Sequence, residues 1–255
     1  MALARLQQHL TWQSRPRGML EGYQADMYKV REIIDKARKE GRRQLTLLES
    51  LEIFKAYGIR TAPARMVSNA DEAAEAAAKI GYPVVLKLVS EKLVHKTEVG
   101  GVAVDIRREE ELREAYAGMT KGREALIEGV LVQKMVKGGR ETIIGVAHDP
   151  TFGPLIMFGL GGIYVEVLKD VAFRLHPLSD IDAAEMVRSI KSYPLLKGVR
   201  GEPPADIEAI KSALMRVSAL VGDFHEIQEL DINPFMVMAQ GEGAYAVDGR
   251  ILLSE

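Results

Sequence analysis

From Asp26 onward the chain alternates between stripes at helical spacing and short apolar runs. Val30, Ile33, Ile34 and Ala37 recur at i, i+3, i+4 and i+7, which gives a helix one apolar face, and Gly41 follows as its stop. Thr46 with Glu49 three residues later reads as a capping box opening a second helix that ends at Gly58. An extended segment over 59–67 comes next, and Ser68-Asn69 cap an alanine-rich helix over 71–80 that Gly81 terminates. Pro83 then opens VVLKLV (84–89), an unbroken apolar run of the kind found where a sheet is covered on both faces. VAVDI (102–106) predicts a strand and 108–121 a charged helix, while VLVQKMV (130–136) and ETIIGVA (141–147) flank Lys137-Gly138-Gly139-Arg140 and predict a hairpin. PLIMFGLGG (154–162) reads as a strand with a glycine turn, VAFRL (171–175) as a strand, and 179–192 and 205–221 as helices. EIQELDI, PFMVMA and AYAVDG predict three short extended segments at the end. Residues 1–25 carry no clean period and read as a loosely ordered extension ahead of the domain.

Helices and strands are mixed without steady alternation, and most strand pairs are joined by turns too short for a crossover helix. The expectation is therefore an α+β fold with largely antiparallel sheets. With 47% hydrophobic and 27% charged residues, the 255-residue chain has the composition of a globular protein with a substantial core. No apolar run reaches a membrane span, and the start lacks the pattern of a secretory leader. Zero cysteines exclude disulfides, thiolate zinc sites and cysteine nucleophiles, and agree with a cytoplasmic location. A net charge of −2 gives no bulk drive toward nucleic acid or membrane, so any bound anion must be held by local geometry. The ten basic and five acidic residues of 1–43 read as a solvated helix face plus a frayed start, or as a docking arm for a partner.

Four features carry candidate chemistry. Lys87 interrupts an apolar strand, and since an unpaired ammonium is costly to bury it should face a cleft holding an anion, unless it snorkels from an edge strand. The loop SEKLVHKTEVGG (90–101) pairs Gly100 and Gly101, whose backbone N–H groups can approach phosphate oxygens, with Lys92, Lys96 and His95. Neutral imidazole is a good nucleophile toward phosphorus, although a loop histidine is also ordinary surface. In ELDINPF (229–235), Asp231 and Asn233 alternate on one strand face and Pro234 should end the pairing. Asp248 in VDGR comes beside them if 234–248 fold back, giving an oxygen set suited to magnesium, or merely a turn cluster. Finally, the VQKMV segment followed by GGRE could read an adenine edge and a ribose. Arg174 in VAFRL could neutralise a phosphoryl group or form a surface salt bridge.

In this order, IGYPVVLK, HKTEVGGV, VQKMVKGGRE, the GLGG turn, VAFRLHPL and ELDINPF with VDGR resemble an ATP-grasp domain. More narrowly they resemble the beta subunit of the nucleoside-diphosphate-forming acyl-CoA synthetases, the ADP-forming acetate–CoA ligase family. The resemblance implies an ATP-grasp domain over 26–253, with a small subdomain at about 59–130 and a large one at about 131–253 that includes 26–58. It implies that Lys87 contacts nucleotide phosphates, that Gln133, Lys134, Met135 and Val136 line adenine, and that Glu141 holds the ribose. It further implies Asp231, Asn233 and Asp248 as Mg2+ ligands, Arg174 as a phosphate-facing arginine, and Glu166 as a further lining residue. His95 in HKxxVGG corresponds to the family's phosphorylatable histidine. The implied reaction is acyl-CoA + ADP + phosphate giving acid + CoA + ATP. In it His95, on a swinging loop, takes phosphate from a CoA-binding alpha subunit and delivers it to Mg-ADP, the two subunits forming an α2β2 assembly.

Two rivals share much of this constellation. A stand-alone ATP-grasp carboxylate–amine ligase would use Lys87, Glu141 and Asp231 but would not need His95. A non-catalytic nucleotide-binding module would need none of the set complete. His148, His176 and His225 fall in no ligand-spaced cluster and read as structural.

Overall fold

A computed structural model describes residues 18–90, 100–123, 126–199 and 201–255, the side chains of Ile163 and Glu166 excepted. Among the described residues two helices come first, α1 (Met27–Lys39) and α2 (Leu47–Ala56). The stripe Val30, Ile33, Ile34 and Ala37 is buried, and α2 opens with the expected reciprocal cap between Thr46 and Glu49. Both helices pack into one core with the strands of the second sheet described below.

The first sheet is built from β1 (Ala64–Val67), β2 (Val84–Val89), β3 (Val102–Ile106) and β4 (Gly129–Lys134), with α3 (Ala70–Ile80) and α4 (Glu109–Thr120) in the connections. Its order is β1-β4-β2-β3, antiparallel throughout. Asn69 caps α3 and Gly81, at φ 86°, ends it. The rows Val84, Leu86, Leu88 and Val130, Val132 pack with the alanine face of α3 and with Leu112 and Tyr116 of α4. The alternate residues, Val85, Lys87, Leu131 and Gln133, therefore occupy the other face, and they too are buried. Coverage on both faces accounts for the lack of alternation in VVLKLV.

The second sheet holds β5 (Arg140–Asp149), β6 (Gly153–Leu160), β7 (Val171–Leu175), β8 (Ile227–Val237), β9 (Ala244–Ala246) and β10 (Arg250–Leu253), in the order β10-β8-β5-β6-β7 with β9 also on β8. Between its strands lie α5 (Ile163–Glu166), α6 (Asp180–Ser189), α7 (Tyr193–Leu196) and α8 (Ile207–Asp223). The row Ile232, Ile144, Phe158 and Ala172 runs across four strands and packs against α8, α6 and the two opening helices. The expected α+β architecture with antiparallel sheets is what the chain adopts. Among the described residues no helix is long and apolar enough to cross a membrane.

Two local expectations are corrected. β4 and β5 do not form a hairpin: β4 pairs with β1 and β2, and β5 with β6 and β8. Gly138 and Gly139, at φ 77° and 83°, turn the chain out of one sheet and into the other. A Cβ on Gly139 would lie 2.7 Å from the Val237 carbonyl oxygen, so this crossing passes against β8 where only glycine fits. Nor does Pro234 end the pairing, because β8 continues through Phe235, Met236 and Val237. Between Thr142 and Ile144 of β5 the register advances from Phe235 to Ile232, so β8 carries one extra residue. The bulge absorbs the residue that has no N–H to offer the ladder.

Candidate functional site

The two sheets meet where the non-helical face of the small sheet reaches the turn after β9. Lys87 Nζ donates to Asp248 Oδ2 at 3.0 Å and to the Val247 carbonyl at 3.1 Å. Its side chain is 11% exposed, so the ammonium is held inside the seam instead of snorkelling to water. Gln133, on the same face of the neighbouring strand, donates from Nε2 to the same Val247 carbonyl at 3.0 Å. Its Oε1 is buried without a partner among the described residues. Gly101 accepts from the Leu88 N–H at 2.8 Å, which fixes the Gly100-Gly101 turn beside Lys87, and Gly100 sits at φ 66°. His95 lies outside the described residues.

Across the seam, β10 pairs with β8 so that Arg250 stands opposite Asp231, and Asp248 precedes that pair. Burial and the neighbouring Asp248 carboxylate push the Asp231 carboxyl up to about 6, against the opposing pull of the Arg250 guanidinium. A buried carboxyl beside a second acid is suited to a divalent cation, whose charge offsets the cost of ionising it away from water. Among the described residues no group of three or more acidic or histidine side chains gathers, so the seam offers two carboxylates, and Asn233 is exposed on the bulged strand two residues beyond Asp231. That is the size of protein contribution magnesium takes when phosphates and water complete its shell.

Glu141 shares a face with Asp231, because β5 alternates from Glu141 to Gly145 and Gly145 is the register partner of Asp231. The Glu141 carbonyl accepts from the Gly161 N–H at 2.8 Å, tying the glycine turn after β6 to the start of β5. Of the four residues expected along adenine, Lys134 and Met135 already spend their N–H groups on the Pro63 and Pro83 carbonyls. The Lys134 ammonium binds the Gly81 and Tyr82 carbonyls at 2.8 and 3.0 Å, which makes it a brace for the end of α3. The Val136 N–H carries no bond to a described residue.

Arg174 is not brought to this seam. Its register row is Leu230, Val146, Ile156 and Arg174, on the helix-covered face of the large sheet and opposite to Asp231. There its guanidinium donates to the Phe173 carbonyl at 2.8 Å. The side chain of Glu166 lies outside the described residues. His176 is structural as expected, with Nδ1 3.0 Å from the Ser218 hydroxyl. Sequence reading named Gln133 along adenine but missed its side-chain bond across the seam, and it missed the Val247 carbonyl. The first had a signal in a lone amide within an apolar run, whereas a backbone carbonyl leaves none.

Residues 36–253 match the family model described as the ATP-grasp domain. The chain is 45% identical over 230 residues to the acetate–CoA ligase [ADP-forming] I subunit beta of Pyrococcus furiosus, covering 88% of this chain and 98% of that one. It is 44% identical over 245 residues to the 4-hydroxybutyrate–CoA ligase [ADP-forming] of Nitrosopumilus maritimus, covering 94% of this chain but only 35% of that protein's length. Among solved structures it resembles the dinucleotide-forming acetyl-coenzyme A synthetase 1 of Ca. Korarchaeum cryptofilum bound to coenzyme A and Mg-AMPPCP, whose phosphohistidine segment points towards the nucleotide binding site. The TM-score is 0.80 at 43% identity, over 88% of this chain and 100% of that one. A fold of two antiparallel sheets thus has its counterpart in both sequence and structure, and the chain belongs to the ATP-grasp family, with the beta subunits of ADP-forming acetate–CoA ligases.

Proposed function

We propose that this chain is the nucleotide-binding beta part of an ADP-forming acyl-CoA synthetase, and that it moves phosphate between His95 and a nucleoside diphosphate at the Lys87–Asp248 seam. The observation that carries the reading is the buried Lys87 ammonium, held between the sheets by oxygens that a phosphate could replace. Adenine would meet the Val136 N–H, and Glu141 would take the ribose hydroxyls. Asp231, Asn233 and Asp248 are the residues that would hold Mg2+, which when bound supplies neutralisation of phosphate charge. Lys87 would orient the acceptor phosphate. In the ATP-forming direction the N–P bond of phosphorylated His95 breaks, and a terminal diphosphate oxygen forms the new O–P bond. The imidazole leaves with the electron pair of the broken bond and takes up a proton.

A CoA-binding alpha partner completes this reading, with α2β2 as its stoichiometry. Relatives carry this domain both as a separate beta subunit and as 35% of a longer ligase, which supports a CoA-binding part outside the domain. The absence of cysteine fits a cytoplasmic setting. The test is labelling with Mg-ATP carrying γ-phosphate label. Acid-labile, base-stable phosphate should appear on the protein, be lost in His95→Ala, and return to ADP on chase. Label that persists in His95→Ala removes the carrier role. Turnover with an amine and a carboxylate alone would favour a stand-alone ligase.

A further inference from the structure

On the far side of the large sheet from the seam, a groove of about 400 Å3 opens among α6, α7 and the start of α8. Its rim carries three cations. Lys211 is paired with Glu208 at 2.7 Å, but the exposed side chains of Arg188 and Lys197 make no hydrogen bond or ion pair to any described residue. Tyr193, half-buried and packed in part against the core, also lines the groove between them in sequence.

The acid at the floor does not compete for these cations. Asp206 is buried, and its carboxylate accepts from the Ala209, Gly241 and Gly243 N–H groups at 3.1, 3.0 and 2.9 Å. Those bonds, with Gln240 N–H to the Pro204 carbonyl at 2.9 Å, fix the floor as a built surface joining the β8–β9 turn to α8. A concave wall of this volume with two uncommitted cations and a tyrosine in its lining matches a small anion bearing a flat ring.

We propose that this groove is a second binding site, for a ring-bearing phosphate monoester of mononucleotide size, with Arg188 and Lys197 on the phosphate and Tyr193 on the ring. Arg188 offers a forked donor and Lys197 a point charge, a pairing that favours a dianion over a single carboxylate. The site is independent of the seam, since the sheet and its helix layer stand between them.

The experiment is a calorimetric titration of the full chain, preloaded with Mg-AMPPCP, using AMP, ribose 5-phosphate and inorganic phosphate in separate runs. AMP should bind, and the Arg188→Gln/Lys197→Gln double variant should weaken it by about tenfold or more, the usual worth of charge-assisted hydrogen bonds. Tyr193→Leu should weaken AMP while leaving inorganic phosphate unchanged. The double variant and the Tyr193→Leu variant both sit at a partly open surface, and an unchanged thermal midpoint would establish that the fold is retained. AMP binding that is absent, or present and indifferent to the double variant, overturns the proposal. Equal affinity for AMP and inorganic phosphate in the Tyr193→Leu and unaltered chains would remove the ring from it.

Discussion

The Lys87 ammonium and the Asp248 carboxylate, 161 residues apart in sequence, lie 3.0 Å from one another across two sheets. The pair is asymmetric: Lys87 is 11% exposed at its side chain and Asp248 42%. Removing the acid strands a buried cation, whereas removing the cation leaves a carboxylate that water can reach.

That asymmetry predicts opposite outcomes. Asp248→Ala should lower stability by about 1–3 kcal/mol, while Lys87→Met should leave stability unchanged or raise it. Lys87→Met should nevertheless weaken ADP binding by about tenfold to a hundredfold. Urea denaturation and calorimetry on the same two variants separate the effects. Equal loss of stability in both would show that the pair is not held as described.

Gly139 and Gly138 make a matched comparison. Both have positive φ, but only at Gly139 would a Cβ meet another atom, the Val237 carbonyl oxygen at 2.7 Å. Gly138→Ala should cost only the left-handed backbone, about 1–2 kcal/mol. Gly139→Ala should cost more, by the movement of β8 or of the crossing itself. Denaturant midpoints that coincide for the two variants would contradict the close approach.

Asp170 is buried and accepts from the Lys191 and Ser192 N–H groups at 2.8 and 2.7 Å, holding the link between α6 and α7 to the start of β7. Asp170→Ala orphans both donors and should destabilise by about 2 kcal/mol or more. Asp170→Asn retains one acceptor and should lose less. Proteolysis within 190–193 should speed up in the alanine variant alone, and resistance equal to the parent chain would argue against the anchor.

His176 gives a pH dependence with a definite sign. Burial lowers its basicity below the ordinary value of 6.5 despite its Ser218 partner. The unfolded chain therefore binds the proton more readily, and stability rises with pH across the interval between the two values. The contribution is fully present above 6.5 and is lost as pH falls below it toward the lower folded value. Thermal midpoints from pH 8 down to 5 should drop more steeply in the parent than in His176→Gln. Parallel curves would assign the drop to other groups.

Much of this was legible because it follows from short-range chemistry. The Thr46–Glu49 cap, the Asn69 start and Gly81 end of α3, and the buried stripe of α1 depend on residues within one or two turns of each other. Lys87 was legible as a charge with no local place to go, and Asp231 with Asp248 because the intervening chain folds back through β9. What failed depended on partners distant in sequence. The segments 130–136 and 141–147 have the look of a hairpin, and nothing local says that each has a stronger partner elsewhere. Pro234 reads as a terminator until the bulge opposite Thr142 is seen to spare the ladder. Arg174 falls on the helix-covered side because β6 sets its register, and a five-residue strand cannot declare which of its faces looks at the ligand.

The chain enters the small sheet after Pro63 and leaves it at Lys134, and these two residues are bonded to each other, N–H to carbonyl, at 2.8 Å. The whole lobe is thus an excursion whose departure and return share a single doorway, while Leu45 and Ile251 close the remaining framework behind it through a bond of 3.0 Å. Rocking about that doorway would carry Lys87 and Gln133 together, as fixtures of one plate, and would trade their grip on Val247 and Asp248 for an incoming guest without unpicking a rung of the larger sheet.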